Sequence, residues 1–167
     1  MKRALIFSDS HSYFDYMESV IRKEKENGFE AIFHMGDIQQ MEERLRRMTP
    51  YPVHIVKGNC DFGSSLPEEL TVTFAGKRIA MCHGHRYLSL FGGGMDALRY
   101  FGKEWDAQYV FFGHTHVPFL EQASDITLLN PGSISQPRQE KKVPTYAVME
   151  VHDDGEVVFH MCEYHED

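Results

Sequence analysis

KRALIFSDSHSYFDYMESVIRKEKENGFEAIFHMGD, residues 2–37, changes its hydrophobic period twice. KRALIFS (2–8) carries the short continuous apolar run of a strand buried on both faces. In YFDYMESVIRKEKENG (13–28), Phe14, Met17, Val20 and Ile21 recur every three or four positions. That spacing predicts a helix with one buried stripe, stopped at Gly28. EAIFHM (30–35) returns to the strand pattern. Strand, helix and strand in direct succession point to an α/β fold.

Outward from this unit the alternation continues. QQMEERLRRM (39–48) predicts a second helix, closed by Pro50, and VHIVK (53–57) a third strand. LTVTFAGKRIAMCHG (70–84) reads as two strands about a turn at Ala75, Gly76 and Lys77. GMDALRYFGKEW (94–105) is a helix entered from Gly92–Gly93–Gly94, and AQYVFF (107–112) another buried strand. After it VPFLEQ, DITLLN, TYAVMEV and GEVVFHMCEY follow as strands with no helix between them. The expectation is two packed sheets with helices outside, in one domain over 1–167, since there is no internal repeat, low-complexity tract or linker.

Composition narrows the function. At 167 residues, 42% hydrophobic and 13% aromatic, the chain has the make-up of a folded globular protein. No apolar run approaches the roughly 18–20 residues of a membrane span. The apolar stretch near the N-terminus, about five residues, is too short for a signal-peptide core, so the expected location is cytoplasmic. A formal net charge of −8 argues against an extended nucleic-acid-binding face. The densest basic segment, ERLRRM (43–48), reads as a solvated helix face. Cys60, Cys82 and Cys162 form no CxxC and read as reduced thiols.

Each apolar run is followed by polar residues of one kind. ALIF leads to SDSH, AIFHM to GD, VHIVK to GNCD, RIAM to CHGH and YVFF to GHTH. Ligands bind beyond the carboxyl ends of strands in open α/β sheets, so these five loops should converge on one crevice. They supply Asp9, His11, Asp37, Asn59, His83, His85, His114 and His116. This mixed nitrogen and oxygen set suits Mn, Fe, Co, Ni or Zn and lacks the thiolates of structural zinc. In extended chain, residues i and i+2 project to one side, so Asp9 with His11, and His114 with His116, can face one metal cluster.

D-x-H, GD, GN, HGH and GHTH in that order resemble the calcineurin-like metallophosphoesterase superfamily. The short length, GNCD and NPGSISQPR (130–138) are most similar to its small bacterial and archaeal phosphodiesterase branch. The resemblance implies a four-layer αββα sandwich of two mixed β-sheets flanked by helices. It also implies two divalent metal ions, with manganese favoured among Mn, Ni, Fe, Co and Zn. Asp9, His11 and His116 would hold one ion, Asn59, His83 and His114 the other, and Asp37 would bridge them. The implied reaction is hydrolysis of a phosphate ester by in-line attack of a metal-bound hydroxide, with Asp37 and Asn59 in the catalytic centre. The substrate would be a small phosphate ester, nucleotide-like compounds included, and self-association stays open.

One position departs from the family pattern. Many members carry a histidine directly after the GN asparagine, and here it is Cys60. A thiol is a poor replacement for imidazole near neutrality. His85 is the nearest candidate to contact the phosphoryl oxygen or the leaving group, and Arg138 could reach a phosphate from the NPGS loop. Without a good acid, acidic leaving groups such as aryl phosphates should turn over best. The Gly92–Gly94 run lacks the GK[ST] of a P-loop and reads as a helix-entry turn. Asn130 and Ser133 are expected to shape their loop, His34 and His54 to be packed or paired, and His152, His160 and His165 to be solvated. The competing functions are a scaffold or binding protein that keeps the fold and has lost its chemistry, as a retromer subunit of similar fold is understood to have done, and a phosphomonoesterase. All seven ligand positions carry competent residues, which favours the enzyme.

Overall fold

In the computed structural model, which describes residues 1–166, the first strand β1 (Lys2–Phe7) sends its side chains alternately into two apolar layers. Ala4 and Ile6 face one layer, and Leu5 and Phe7 the other. Both faces are buried, which is why the run is continuously apolar rather than alternating. The elements that follow are α1 (Asp15–Asn27), β2 (Ala31–His34), α2 (Glu42–Arg47), β3 (Val53–Ile55), β4 (Glu69–Phe74) and β5 (Lys77–Cys82). Then come α3 (Gly94–Glu104), β6 (Tyr109–Phe111), β7 (Pro118–Gln122), β8 (Thr127–Pro131), β9 (Thr145–Val151) and β10 (Val157–Glu163).

The strands form two mixed five-stranded sheets, ordered β10-β9-β1-β2-β3 and β4-β5-β6-β8-β7. In the first, β1, β2 and β3 are parallel, and the late strands β9 and β10 join antiparallel. In the second, β5, β6 and β8 are parallel, with β4 and β7 antiparallel at the edges. Phe33, Met35, Met81, Phe111 and Met149 fill the space between the sheets. Met17, Val20 and Ile21 of α1 and Leu45 of α2 cover the outer face of the first sheet. Leu98 and Phe101 of α3 cover the second, over Ala80, Val110 and Leu128. The result is the expected single-domain αββα sandwich.

All thirteen expected segments are present, most with shorter bounds. The β4–β5 turn puts Ala75 and Gly76 at φ of 49° and 77°, the left-handed pair a two-residue hairpin requires. The largest difference is α2, which starts at Glu42 rather than 39. Gln39 and Gln40 instead adopt φ of 49° and 67° and form a loop over one end of the sheets. α1 is tied to the first sheet by buried Glu24, which takes Arg3 at 3.0 Å and the Tyr146 hydroxyl at 3.1 Å. Among the described residues no helix is long and apolar enough to cross a membrane.

Candidate metal centre

The loops leaving β1, β2, β3, β5 and β6 meet at one end of the sandwich. They are stitched together by backbone hydrogen bonds, Asp9 N–H to the Gly36 carbonyl at 3.0 Å, His11 N–H to the Asp37 carbonyl at 2.7 Å and Gly113 N–H to the His83 carbonyl at 2.9 Å. Five of the seven expected ligands, Asp9, His11, Asp37, His114 and His116, have φ between 51° and 72°. Non-glycine residues avoid this region, and its concentration here marks a place where geometry is held at a cost of order 1–3 kcal/mol per residue. The paired ligands therefore converge through tight left-handed turns. The extended geometry expected for Asp9–His11 and His114–His116 is not what brings them together.

Asp9 and Asp37 sit at the bottom of the site, 0% and 2% exposed. His116 Nε2 lies 3.2 Å from Asp9 Oδ1 and 3.3 Å from His11 Nε2. His83 Nε2 lies 3.3 Å from Asp37 Oδ2 and 3.8 Å from Asp9 Oδ1. His114 Nδ1 lies 3.1 Å from Asn59 Oδ1, with its ring 5.2 Å from that of His83. Three groups of donor atoms lie within 4.8 Å of one another: Asp9, His11 and His116; Asp9, Asp37 and His83; and His11, Asp37 and Cys60.

The proton positions show what this arrangement lacks. His83 Nδ1 is 2.7 Å from the Met35 carbonyl and His116 Nδ1 is 2.6 Å from the Gln136 carbonyl. A carbonyl only accepts, so each Nδ1 carries the proton and each Nε2 presents a lone pair to the site. Both lone pairs point at carboxylate oxygens, an arrangement that repels unless a cation or proton lies between. Asp9 Oδ1 and His83 Nε2 are buried without any hydrogen-bond partner. Burial alone would lower the His83 pKa, but Asp37 and Asp9 overcome it and raise it. For Asp37, burial opposes ionisation, yet the adjacent His83 ring and the Cys60 N–H hold its carboxyl far below the usual range. The site thus draws positive charge, and δ-protonated histidines with bare Nε2 atoms beside carboxylates fit a divalent metal.

Glycine beside each ligand has a steric cause at two positions. A Cβ on Gly58 would overlap the Asp37 carboxylate and backbone, and one on Gly113 would overlap Ser8 Oγ and the Asp9 carboxylate. Nothing larger lets the carboxylates reach the centre.

A model of the calcineurin-like phosphoesterase superfamily domain matches residues 1–154. The chain belongs to that superfamily. A Bacillus subtilis protein named "Probable metallophosphoesterase YsnB" is 34% identical over 156 residues, covering 92% of this chain and 87% of its own. The Escherichia coli phosphodiesterase YfcE is 27% identical over 163 residues, covering 83% and 82% of the two chains. A solved structure from Streptococcus pneumoniae, described as a predicted phosphoesterase, superposes with a TM-score of 0.76 at 31% identity over 97% of each chain. Calcineurin-like phosphoesterases use divalent metals, and the donor groups above are of the right kind.

The superfamily motifs do not announce three residues that build this centre. Asp61, 4% exposed, accepts hydrogen bonds from the N–H groups of Asp37 (2.8 Å), Gly58 (2.8 Å) and Gln39 (2.7 Å). It clamps the loop after β2 to the loop after β3. Gln39 Oε1 lies 2.7 Å from His11 Nδ1, fixing that ring in the same δ-protonated form. His34 accepts the Gly36 N–H at Nδ1, so its Nε2 proton goes to Ser10 Oγ at 2.9 Å. Burial lowers the His34 pKa to about 4, leaving a neutral ring that joins the Asp9 and Asp37 loops. Asp61 was visible in GNCD as a carboxylate two residues after Asn59, and its role was not.

The remaining expected residues fall as follows. His85 is half-buried beside the centre, its ring 5.4 Å from His83. Burial, with the charges of His83 and Arg86, lowers its pKa, so it stands neutral near pH 7. Burial and the Asp37 charge raise the Cys60 pKa, keeping it a thiol, and its N–H donates to Asp37 Oδ1 at 2.7 Å. Arg138 is exposed, its N–H bonded to the His116 carbonyl at 3.0 Å, and its guanidinium has no ion-pair partner among the described residues. Asn130 and Ser133 shape their loop as expected, Ser133 Oγ donating to the Asp9 carbonyl at 2.8 Å and Asn130 Nδ2 to the Gly113 carbonyl at 3.0 Å. His54 packs on Phe33. His160 and His165 are exposed, against Glu150 and Glu163, whereas His152 is half-buried rather than solvated, its Nε2 without a hydrogen-bond partner.

Proposed function

We propose that this chain is a two-metal phosphodiesterase acting on small phosphate esters in the cytoplasm. The observation that carries the reading is the pair of donor groups sharing Asp9, with bare Nε2 atoms and an unpartnered carboxylate oxygen directed into one buried space. Asp9, His11 and His116 would hold one ion and Asn59, His83 and His114 the other. Asp37 would bridge them, as the superfamily resemblance implies, and its oxygens lie in groups with His83 and with His11, as those of Asp9 do. Divalent cations there, manganese first and Ni, Fe, Co or Zn as alternatives, supply charge against the phosphoryl oxygens and make bound water more acidic.

The chain's own residues would do the rest. Backbone clamps at Asp61 and the Ser133 loop keep the donors from moving when the phosphate enters, so little reorganisation accompanies reaction. Arg138, whose N–H bonds the His116 carbonyl and whose guanidinium has no ion-pair partner among the described residues, would meet a non-bridging phosphate oxygen, a contact its planar fork suits. His85, neutral and beside His83, would hydrogen-bond the phosphoryl group or the departing oxygen rather than carry a positive charge to it. Cys60, a thiol, leaves its position without a strong proton donor.

The test is hydrolysis of bis-p-nitrophenyl phosphate and p-nitrophenyl phosphate by metal-stripped protein after adding back Mn, Ni, Co, Zn or Mg. Diester turnover restored by a transition metal and exceeding monoester turnover is the expected result. Faster monoester turnover would make the protein a phosphomonoesterase, and inactivity with every metal would overturn the enzyme reading.

A further inference from the structure

We propose that the pocket between the Gln39–Glu42 loop and the Cys60–Ser65 loop holds one ester arm of the substrate, and that this arm is a nucleobase-like heteroaromatic ring presenting N–H donors. This rests on the phosphodiesterase reading and names the substrate class for that site. The pocket measures about 470 Å³, within the usual range for small-molecule sites. It adjoins the metal centre directly. Cys60 lines it, with a sulfur within 4.8 Å of the donor atoms of His11 and Asp37, and Ser12 on its wall follows His11 in the chain. On the other flank, the depression lined by His83, His85 and Tyr87 holds only about 10 Å³. One arm of a diester therefore has a pocket and the other has solvent.

Three wall residues define the chemistry of that arm. Phe62 is 82% exposed, a large apolar ring held in water at the rim and stacked on no other aromatic ring among the described residues. Its loop is pinned through Asp61, so the ring is presented from a fixed backbone. Glu42 lines the same pocket and carries a carboxylate oxygen, Oε2, that is shielded from solvent without a hydrogen-bond partner. An ionised carboxylate only accepts, so it calls for an N–H or O–H donor. Gln40, exposed at φ of 67°, adds an amide that can both donate and accept. An alkyl arm would offer the Glu42 carboxylate no donor, a bare sugar would leave Phe62 uncovered, and an anionic arm would meet Glu42. A purine such as guanine, with a π-face and adjacent N–H groups, satisfies both walls.

Calorimetry on the full-length, metal-loaded chain compares guanosine 5′-monophosphate with ribose 5-phosphate, which shares the phosphate and lacks the base. The nucleotide should bind about 10-fold more tightly, as stacking one base on an aromatic ring allows. Phe62→Ala should remove that margin and Phe62→Tyr restore it. The exposed position makes loss of folding an unimportant outcome, and ribose 5-phosphate affinity, unchanged across all three proteins, checks this. In kinetics, Phe62→Ala should raise KM for guanosine 5′-(p-nitrophenyl phosphate) about 10-fold with little change in kcat. Equal affinities for the two phosphates, or a preference that survives Phe62→Ala, overturn the pocket assignment. If wild-type protein hydrolyses no diester, the phosphodiesterase reading fails, while the calorimetric comparison still decides whether the pocket holds a base.

Discussion

Asp37→Asn should lower kcat/KM for a phosphodiester by about 1,000-fold or more and abolish the thermal stabilisation that added Mn gives the wild-type protein. Asp37 offers donor atoms in groups with both His83 and His11, a placement that Asp9 shares. Replacing one of its oxygens by an amide NH2 aims a donor at a space already faced by Nε2 lone pairs and removes the charge that would offset the proposed two cations. Loss of a residue that merely orients a ligand costs 10–100-fold in metal affinity or activity, and a shared ligand should exceed that. The thermal part follows from linkage. A ligand at 100 times its Kd stabilises by about 2.7 kcal/mol, which for a chain of this size is roughly 5–10 °C in Tm. Without metal the sign differs. A buried carboxylate lacking its cation is costly, so metal-free Asp37→Asn should be as stable as wild type or slightly more so. Differential scanning calorimetry with and without Mn reads both effects. A variant that keeps the Mn-dependent shift would show that Asp37 holds no metal.

Asp61→Ala is the second large effect, and it acts through the backbone that Asp61 holds in place. The Asp61 carboxylate accepts three backbone N–H groups, those of Asp37, Gly58 and Gln39. Removing it strands buried donors at about 1–3 kcal/mol each, for a total of about 3 kcal/mol or more. It also frees the loops that carry Asp37 and Asn59 relative to one another, so metal affinity should fall with stability. Asp61→Asn should be nearly as damaging, because its amide nitrogen would face an N–H group where an oxygen is needed. Asp61→Glu retains the charge and serves as the partial rescue. Urea unfolding of metal-free protein measures the first effect and Mn titration the second. A stable Asp61→Ala protein with wild-type Mn affinity would remove Asp61 from the account of the site.

These two residues also mark how far the sequence could be read. Asp37, like Asp9, Asn59 and the four clustered histidines, stands directly beyond an apolar run, so strand ends and candidate ligands are visible together. Ala4 and Ile6, set against Leu5 and Phe7, show why β1 reads so clearly. Burial on both faces demands an unbroken apolar run. Asp61 was hidden because its role depends on N–H groups from two loops 20 or so residues apart, and an acidic residue in a loop ordinarily looks like a turn or cap. Gln39 and Gln40 were misplaced for the same reason. Glutamine favours helix, but the Asp61 carboxylate and the His11 ring hold Gln39 in a left-handed loop, and α2 starts later. The left-handed backbone at five ligands leaves no mark in the residue types, since none is glycine. The exposure of Phe62 and the unpaired Glu42 oxygen likewise arise only from tertiary placement.

In the proposed centre one metal ion sits on each side of Asp37. A crystal grown with Mn and measured at the manganese absorption edge tests it directly. Two anomalous peaks about 3.5–4 Å apart are expected, one against Asp9, His11 and His116 and one against Asn59, His83 and His114, with Asp37 touching both. A single peak, or peaks that leave Asp37 unligated, would contradict it.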